Sequence, residues 1–185
     1  MRPHALVDLS LALVLGGLAA ACIGTTPEQQ ARDEQGDDRD GNPEHRPGQP
    51  CLVCHGAAFH PGGDVFVLAG TIYDRATDKD TAGLSGAEVV MIDKAGHEFH
   101  ALTNRAGNFM VSVDGSLAAP AQRNEGRLRI PWTPVFPVKV SVNKDGVVKD
   151  METLIWRDGS CAGCHRTAEA GLDHVEKVWL EEVTP

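Results

Sequence analysis

Phe136-Pro137-Val138-Lys139-Val140-Ser141-Val142-Asn143-Lys144-Asp145-Gly146-Val147-Val148 is the stretch that decides the fold class. Phe136, Val138, Val140 and Val142 alternate with Pro137, Lys139 and Ser141. A period of two puts the apolar side chains on one face of a strand and the polar ones on the other. Asn143-Lys144-Asp145-Gly146 is a strong turn signal, and Val147-Val148 starts the returning strand. Pro134 and Pro137 cannot donate to a ladder, so they mark the start of the strand or a sheet edge.

Working outward, the same kind of pattern recurs. Asp64 to Asp74 contains Val65, Phe66, Val67, Leu68, Ile72 and Tyr73, and Ala87 to Asp93 reads Ala-Glu-Val-Val-Met-Ile-Asp. His97 to Thr103 and Asn108 to Val113 follow as a hairpin around Asn104-Arg105-Ala106-Gly107. Short strands at intervals of about 8–15 residues predict an antiparallel β-sandwich, so the fold class is mostly β.

Three segments carry a family resemblance. They are Ala69-Gly70-Thr71-Ile72-Tyr73-Asp74, then Gly86-Ala87-Glu88-Val89-Val90, then Thr103-Asn104-Arg105-Ala106-Gly107-Asn108-Phe109. This succession resembles the carboxypeptidase regulatory-like (transthyretin-like) β-sandwich, whose pattern runs G-T-V-x-D, then G-A-x-V, then T-x-x-x-G-x-F. The resemblance covers about residues 64–150. It implies a fold and says nothing about catalysis.

The chemistry lies in the flanks. Cys51-Leu52-Val53-Cys54-His55 and Cys161-Ala162-Gly163-Cys164-His165 both spell C-x-x-C-H, the attachment site of a c-type haem. Cysteines three apart share one side of a helical turn, where two thiols can reach two haem vinyl groups. The following histidine is then held beneath the porphyrin as proximal iron ligand. Disulfides, a thioredoxin-like pair, or one zinc centre built from all four thiolates are the rivals. Zinc ribbons space their pairs by about 15–20 residues, far less than the gap here. With 8 histidines in 185 residues, chance places one after both pairs with a probability of roughly 0.2%. The expectation is two covalently attached c-type haems, held by Cys51, Cys54 and His55 and by Cys161, Cys164 and His165. The whole arrangement resembles small bacterial di-haem c-type cytochrome lipoproteins that bracket such a sandwich with two C-x-x-C-H sites.

The N-terminus fits export. Met1 to His4 is a weakly basic start, Leu9 to Leu18 is largely apolar, and Ala19-Ala20-Ala21 suits cleavage. Cys22 follows directly, as in the bacterial lipobox, with the leucine one position further upstream than in the commonest pattern. Four of the five cysteines belong to the haem motifs, which leaves Cys22 for lipidation. Ordinary cleavage that leaves Cys22 as a bystander is the alternative. Residues 24–50 are polar and rich in Asp, Glu, Gln, Gly, Pro and Arg, so they read as a disordered tether. The expected organisation is a signal peptide over 1–21, an anchor and tether over 22–50 and a first haem segment over 51–63. The β-sandwich then covers 64–155 and a second haem segment covers 156–185.

A formal charge of −9 argues against nucleic acid and suits redox partners with basic docking faces. Distal haem ligands are the open question. His60 and His174 follow the proximal His55 and His165 closely, so each could serve the opposite haem if the two are neighbours. His100 is a third candidate, with His97 and Met151 behind it. Met91 and Met110 read as core, His45 as solvated tether, and Trp156 as the tryptophan best placed to pack on a haem. No catalytic set of Ser-His-Asp type, phosphate loop or carboxylate pair stands out. The expected function is electron transfer outside the cytoplasm from a lipid-anchored protein facing the periplasm or cell surface. Alternatives are an open-coordinate haem enzyme or sensor of peroxidase type, and a self-assembling module of a multi-haem conduit.

Overall fold

The alternating runs form strands. The computed structural model describes residues 42–57, 65–75, 83–113, 126–157, 159–167 and 175–180. Helical turns α1 (Leu52–His55) and α2 (Cys161–Cys164) flank seven strands, and two short strands follow α2. The seven are β1 (Phe66–Thr71), β2 (Glu88–Ile92), β3 (Glu98–Leu102), β4 (Asn108–Val113), β5 (Arg127–Ile130), β6 (Lys139–Lys144) and β7 (Val147–Asp150). The last two are β8 (His165–Thr167) and β9 (Val175–Glu176). The protein is mostly β, as expected, and antiparallel pairing dominates its two larger sheets.

One sheet runs β3-β2-β6-β7 and is antiparallel throughout. The Lys144-to-Val147 connection turns on Asp145 (φ 52°) and Gly146 (φ 87°). Two left-handed residues in a two-residue loop match the twist of the strands they join. The other sheet runs β1-β4-β5, with β1 and β4 antiparallel and β4 and β5 parallel. β5 and the parallel pair depart from the expected antiparallel set.

The stretch His97–Val113 is not a hairpin. β3 pairs with β2 and β4 pairs with β1, so the chain crosses from one sheet to the other at Asn104. That corner is held by the Asn104 carboxamide, whose Oδ1 accepts from the Ala106 and Asn108 amides, both at 3.0 Å. The Asn104 amide donates to the Asn108 carbonyl at 2.9 Å.

One apolar cluster draws on both sheets. Leu68, Phe109, Val111 and Ile130 come from the first; Val89, Met91, Phe99, Ala101, Val140 and Val142 come from the second. Met91 is fully buried there, in accord with its reading as core. β1 and β4 also bury their other face. Phe66, Ala69 and Met110 form a second cluster on the opposite side of that sheet. A register shift between Phe66 and Leu68 lets β1 present Phe66 and Ala69 to one side and Leu68 to the other.

A buried carboxylate ties the sheet edge to the chain before β6. The Asp93 side chain has no solvent exposure and accepts from the His97 amide at 2.9 Å, its imidazole Nδ1 at 3.1 Å and the Val135 amide at 3.2 Å. Burial pushes the Asp93 carboxyl up, but these three donors and the nearby imidazole charge outweigh it and hold the group at about 2. A lowered folded value contributes stability that is full above the ordinary 3.8 and is lost as pH falls through about 2. Denaturant unfolding of wild type and Asp93→Asn across that window is expected to show a stability gap that closes as pH falls. A gap that does not change with pH would mean that ionised Asp93 adds nothing.

Candidate functional site

Both cysteine motifs close the same hydrogen-bonded turn, with His55 ending α1 and His165 opening β8. At the first, Val53 donates to the Pro50 carbonyl at 3.0 Å, and the His55 amide closes on the Cys51 carbonyl at 2.9 Å. At the second, Gly163 donates to the Ser160 carbonyl at 2.9 Å, and the His165 amide closes on the Cys161 carbonyl. Pro50 suits such a start because its missing N–H needs no partner there. Val53 and Ala162 are the buried residues of the two turns. One turn thus brings the cysteines of each pair to one side, because residues three apart share a helical face. All four described cysteines are free thiols.

A single strand separates the two motifs. Cys51 and Leu52 pack on the cluster of Phe66, Ala69 and Met110. Cys161 packs on the other side, where a Cβ built at Gly70 would stand 2.6 Å from its Cβ and 2.9 Å from its Sγ. Ala69 and Gly70 are consecutive in β1, and consecutive strand residues face opposite ways. The Ala69 amide also donates to the Gly159 carbonyl at 2.9 Å, which fixes the entry to α2. Among the described residues, no three His, Cys, Asp or Glu side chains converge on one point. The intervening sheet keeps the two thiol pairs apart, so the shared zinc centre finds no support.

The first motif borders a narrow cleft of about 40 Å³, lined by His45, Pro50, Cys51, Cys54, His55, Phe66, Asn108 and Met110 among others. Burial pushes the Cys51 thiol up to about 11, and the Cys54 thiol beside it adds to the effect. Reactive dithiols lower this value to gain thiolate, so the environment is opposite to that of a thioredoxin-like pair. Phe66 stacks on the His55 ring with centroids 4.6 Å apart.

Residues 42–50, expected in the tether, are docked here. The Asn108 carboxamide donates to the carbonyls of His45 at 3.0 Å and Pro43 at 3.3 Å. Asn104 donates to Pro43 at 2.7 Å, and the Gly48 amide donates to Thr71 Oγ1 at 2.8 Å. Thr71 Oγ1 in turn donates to Asn108 Oδ1 at 2.8 Å. These bonds give a polar segment with little apolar surface a reason to lie down. His45, read as solvated, is therefore part of the first site. Met110, read as core, is buried but lines the same cleft.

The second motif borders a larger cavity of about 380 Å³. Ile72, Val89, Phe109, Val140 and Val142 supply an apolar wall, and Cys161, His165 and Met151 line it too. Lys149, Asp150, Glu152 and Lys177 supply charge around it. His165 Nδ1 donates to the Glu176 carbonyl across the β8–β9 pair. A carbonyl can only accept, so Nδ1 is the donor, and Nε2 is the ring nitrogen that would meet a metal.

The other sequence candidates lie elsewhere. His60, His174 and Cys22 fall outside the described residues. His100, a candidate distal ligand, stands on the exposed face of β3. Its Nδ1 meets Glu88 Oε1 at 2.9 Å and its Nε2 meets Glu98 Oε1 at 2.7 Å. The Glu88 and Glu98 hydrogen bonds raise its pKa above 6.5 and favour the charged ring, which has no lone pair for a metal. His97 serves Asp93. Trp156 is 69% exposed and is not among the residues lining either cleft. Among the described residues no helix is long and apolar enough to cross a membrane. Comparison with protein-family models, curated proteins and solved structures finds no match to this chain.

Proposed function

We propose that this protein is a di-haem c-type cytochrome that passes electrons outside the cytoplasm. On this reading the two sheets form a carboxypeptidase regulatory-like β-sandwich between two haem-attachment segments. The observation that carries the proposal is the shared fold of the motifs. Two C-x-x-C-H segments, far apart in sequence, take one helical turn each and dock on opposite faces of β1.

The donor chemistry suits the group. Cys51 with Cys54, and Cys161 with Cys164, would each supply two thiols for thioether bonds. His55 and His165 would be the proximal ligands, and the Nδ1–H bond of His165 to a carbonyl is the orienting contact a metal-binding imidazole needs. A bound c-type haem supplies a reversible one-electron iron couple. The chain sets its environment. The second site is a larger cavity with an apolar wall and a charged margin of Lys149, Asp150, Glu152 and Lys177, whereas the first is a narrow cleft beside Asn108 and Arg46. Surroundings that differ in this way would give the two haems different potentials. The acidic surface suits basic redox partners, and Cys22, by its sequence context, would anchor the protein to a bacterial membrane.

The test is a reduced-minus-oxidised spectrum and a potentiometric titration of protein matured with haem-attachment machinery. The expected result is c-type haem bands that titrate reversibly in two one-electron steps per chain. Absence of haem bands after such maturation refutes the proposal.

A further inference from the structure

We propose that His45 is the second axial ligand of the iron held at the first motif, opposite His55. The inference rests on the haem reading above. The ring centroids of His45 and His55 lie 5.8 Å apart. Two imidazoles sharing one metal keep their centroids about 6 Å apart, from metal–nitrogen bonds of about 2 Å and about 1 Å from nitrogen to ring centre. The chain thus holds the pair at the spacing that a shared metal requires. The ring planes are tilted by 51°, which is compatible because each ring can turn about its own metal–nitrogen axis.

The tautomer agrees. His45 Nδ1 is hydrogen-bonded to the Asn42 carbonyl, and a carbonyl only accepts. Nδ1 is therefore the donor in this bond, and Nε2 is the ring nitrogen that would meet a metal. The backbone agrees as well. Asn108 and Asn104 grip the carbonyls of Pro43 and His45, so His45 is presented by the β1–β4 sheet rather than by a loose tail. His45 and His55 line the same cleft as Cys51 and Cys54. Met110 also lines that cleft, but it is 4% exposed and belongs to the apolar cluster with Phe66 and Ala69.

The test uses the full chain matured with haem. His45→Ala should keep both haems by intact mass and turn one iron from six- to five-coordinate. In the reduced state it should then bind one more carbon monoxide per chain than wild type, and added imidazole should reverse that gain. His45→Met still offers a ligand and should bind no extra carbon monoxide. One potential should rise, because Met/His ligation raises it. A His45→Ala protein that carries two haems yet binds no more carbon monoxide than wild type overturns the assignment. If that variant fails to mature, His45→Met decides, and unchanged potentials overturn the assignment. A wild-type protein that acquires no haem brings down the haem reading itself, a different failure with a different signature.

Discussion

In a chain that carries the two proposed haems, Gly70→Val is expected to lose the second while keeping the first. Any Cβ at this position would stand 2.6 Å from Cys161 Cβ, 2.9 Å from its Sγ and 3.1 Å from Phe109 Cε1. Phe109 is locked in the core at 1% exposure, so the single turn α2 must move instead. It has little room to do so. The Ala69 amide holds the Gly159 carbonyl at 2.9 Å, and Gly159 itself sits against the Val67 carbonyl. Overpacking of this kind costs about 1–3 kcal/mol. The displaced Cys161 and His165 would leave the cavity wall they line. Intact mass should show one haem increment in place of two, and denaturant unfolding should show the stability loss. Two haems on a protein of wild-type stability would contradict the packing described for β1.

Asn108→Ala should release the N-terminal strap and alter the first site. Asn108 is 4% exposed and its side chain serves three partners: Thr71, Pro43 and His45. Its loss takes a donor from the His45 carbonyl and an acceptor from the Thr71 hydroxyl, while Pro43 keeps its bond to Asn104, a cost of about 1–3 kcal/mol. Because the strap carries His45, the variant should also gain carbon monoxide binding at the proposed first haem, as is expected of His45→Ala. Thermal unfolding and carbon monoxide titration measure the two effects. Stability lost without any change at the haem would uncouple Asn108 from His45.

The fold was legible where local pattern and pairing agree. The β6–β7 hairpin could be read because Val138, Val140 and Val142 alternate and Asp145-Gly146 accepts two positive φ angles. β5 was missed because Arg127-Leu128-Arg129-Ile130 is short and charged, and its parallel partner β4 is a matter of tertiary packing. β3 and β4 read as a hairpin because they are neighbours in sequence. Periodicity cannot show that Asn104 turns the chain into a different sheet.

Of the candidate site, the paired C-x-x-C-H strings are legible through spacing alone. His45 is not, because its position depends on Asn104 and Asn108, some sixty residues further along the chain. The only local hint was the punctuation around it, Asn42-Pro43 and Arg46-Pro47-Gly48, which favours a fixed turn over a loose coil. The partners of His100 were hidden for a related reason: Glu88 lies on the neighbouring strand, so only the pairing of β2 with β3 shows that Glu88 and Glu98 flank the ring.

If the proposed function holds, both C-x-x-C-H turns carry covalent haem, and intact mass spectrometry of the protein matured with haem-attachment machinery reads this out. The expected mass is that of the chain plus two haem groups that survive denaturation, falling to one when Cys51 and Cys54, or Cys161 and Cys164, are replaced by serine. An unmodified mass for the wild-type chain would contradict it.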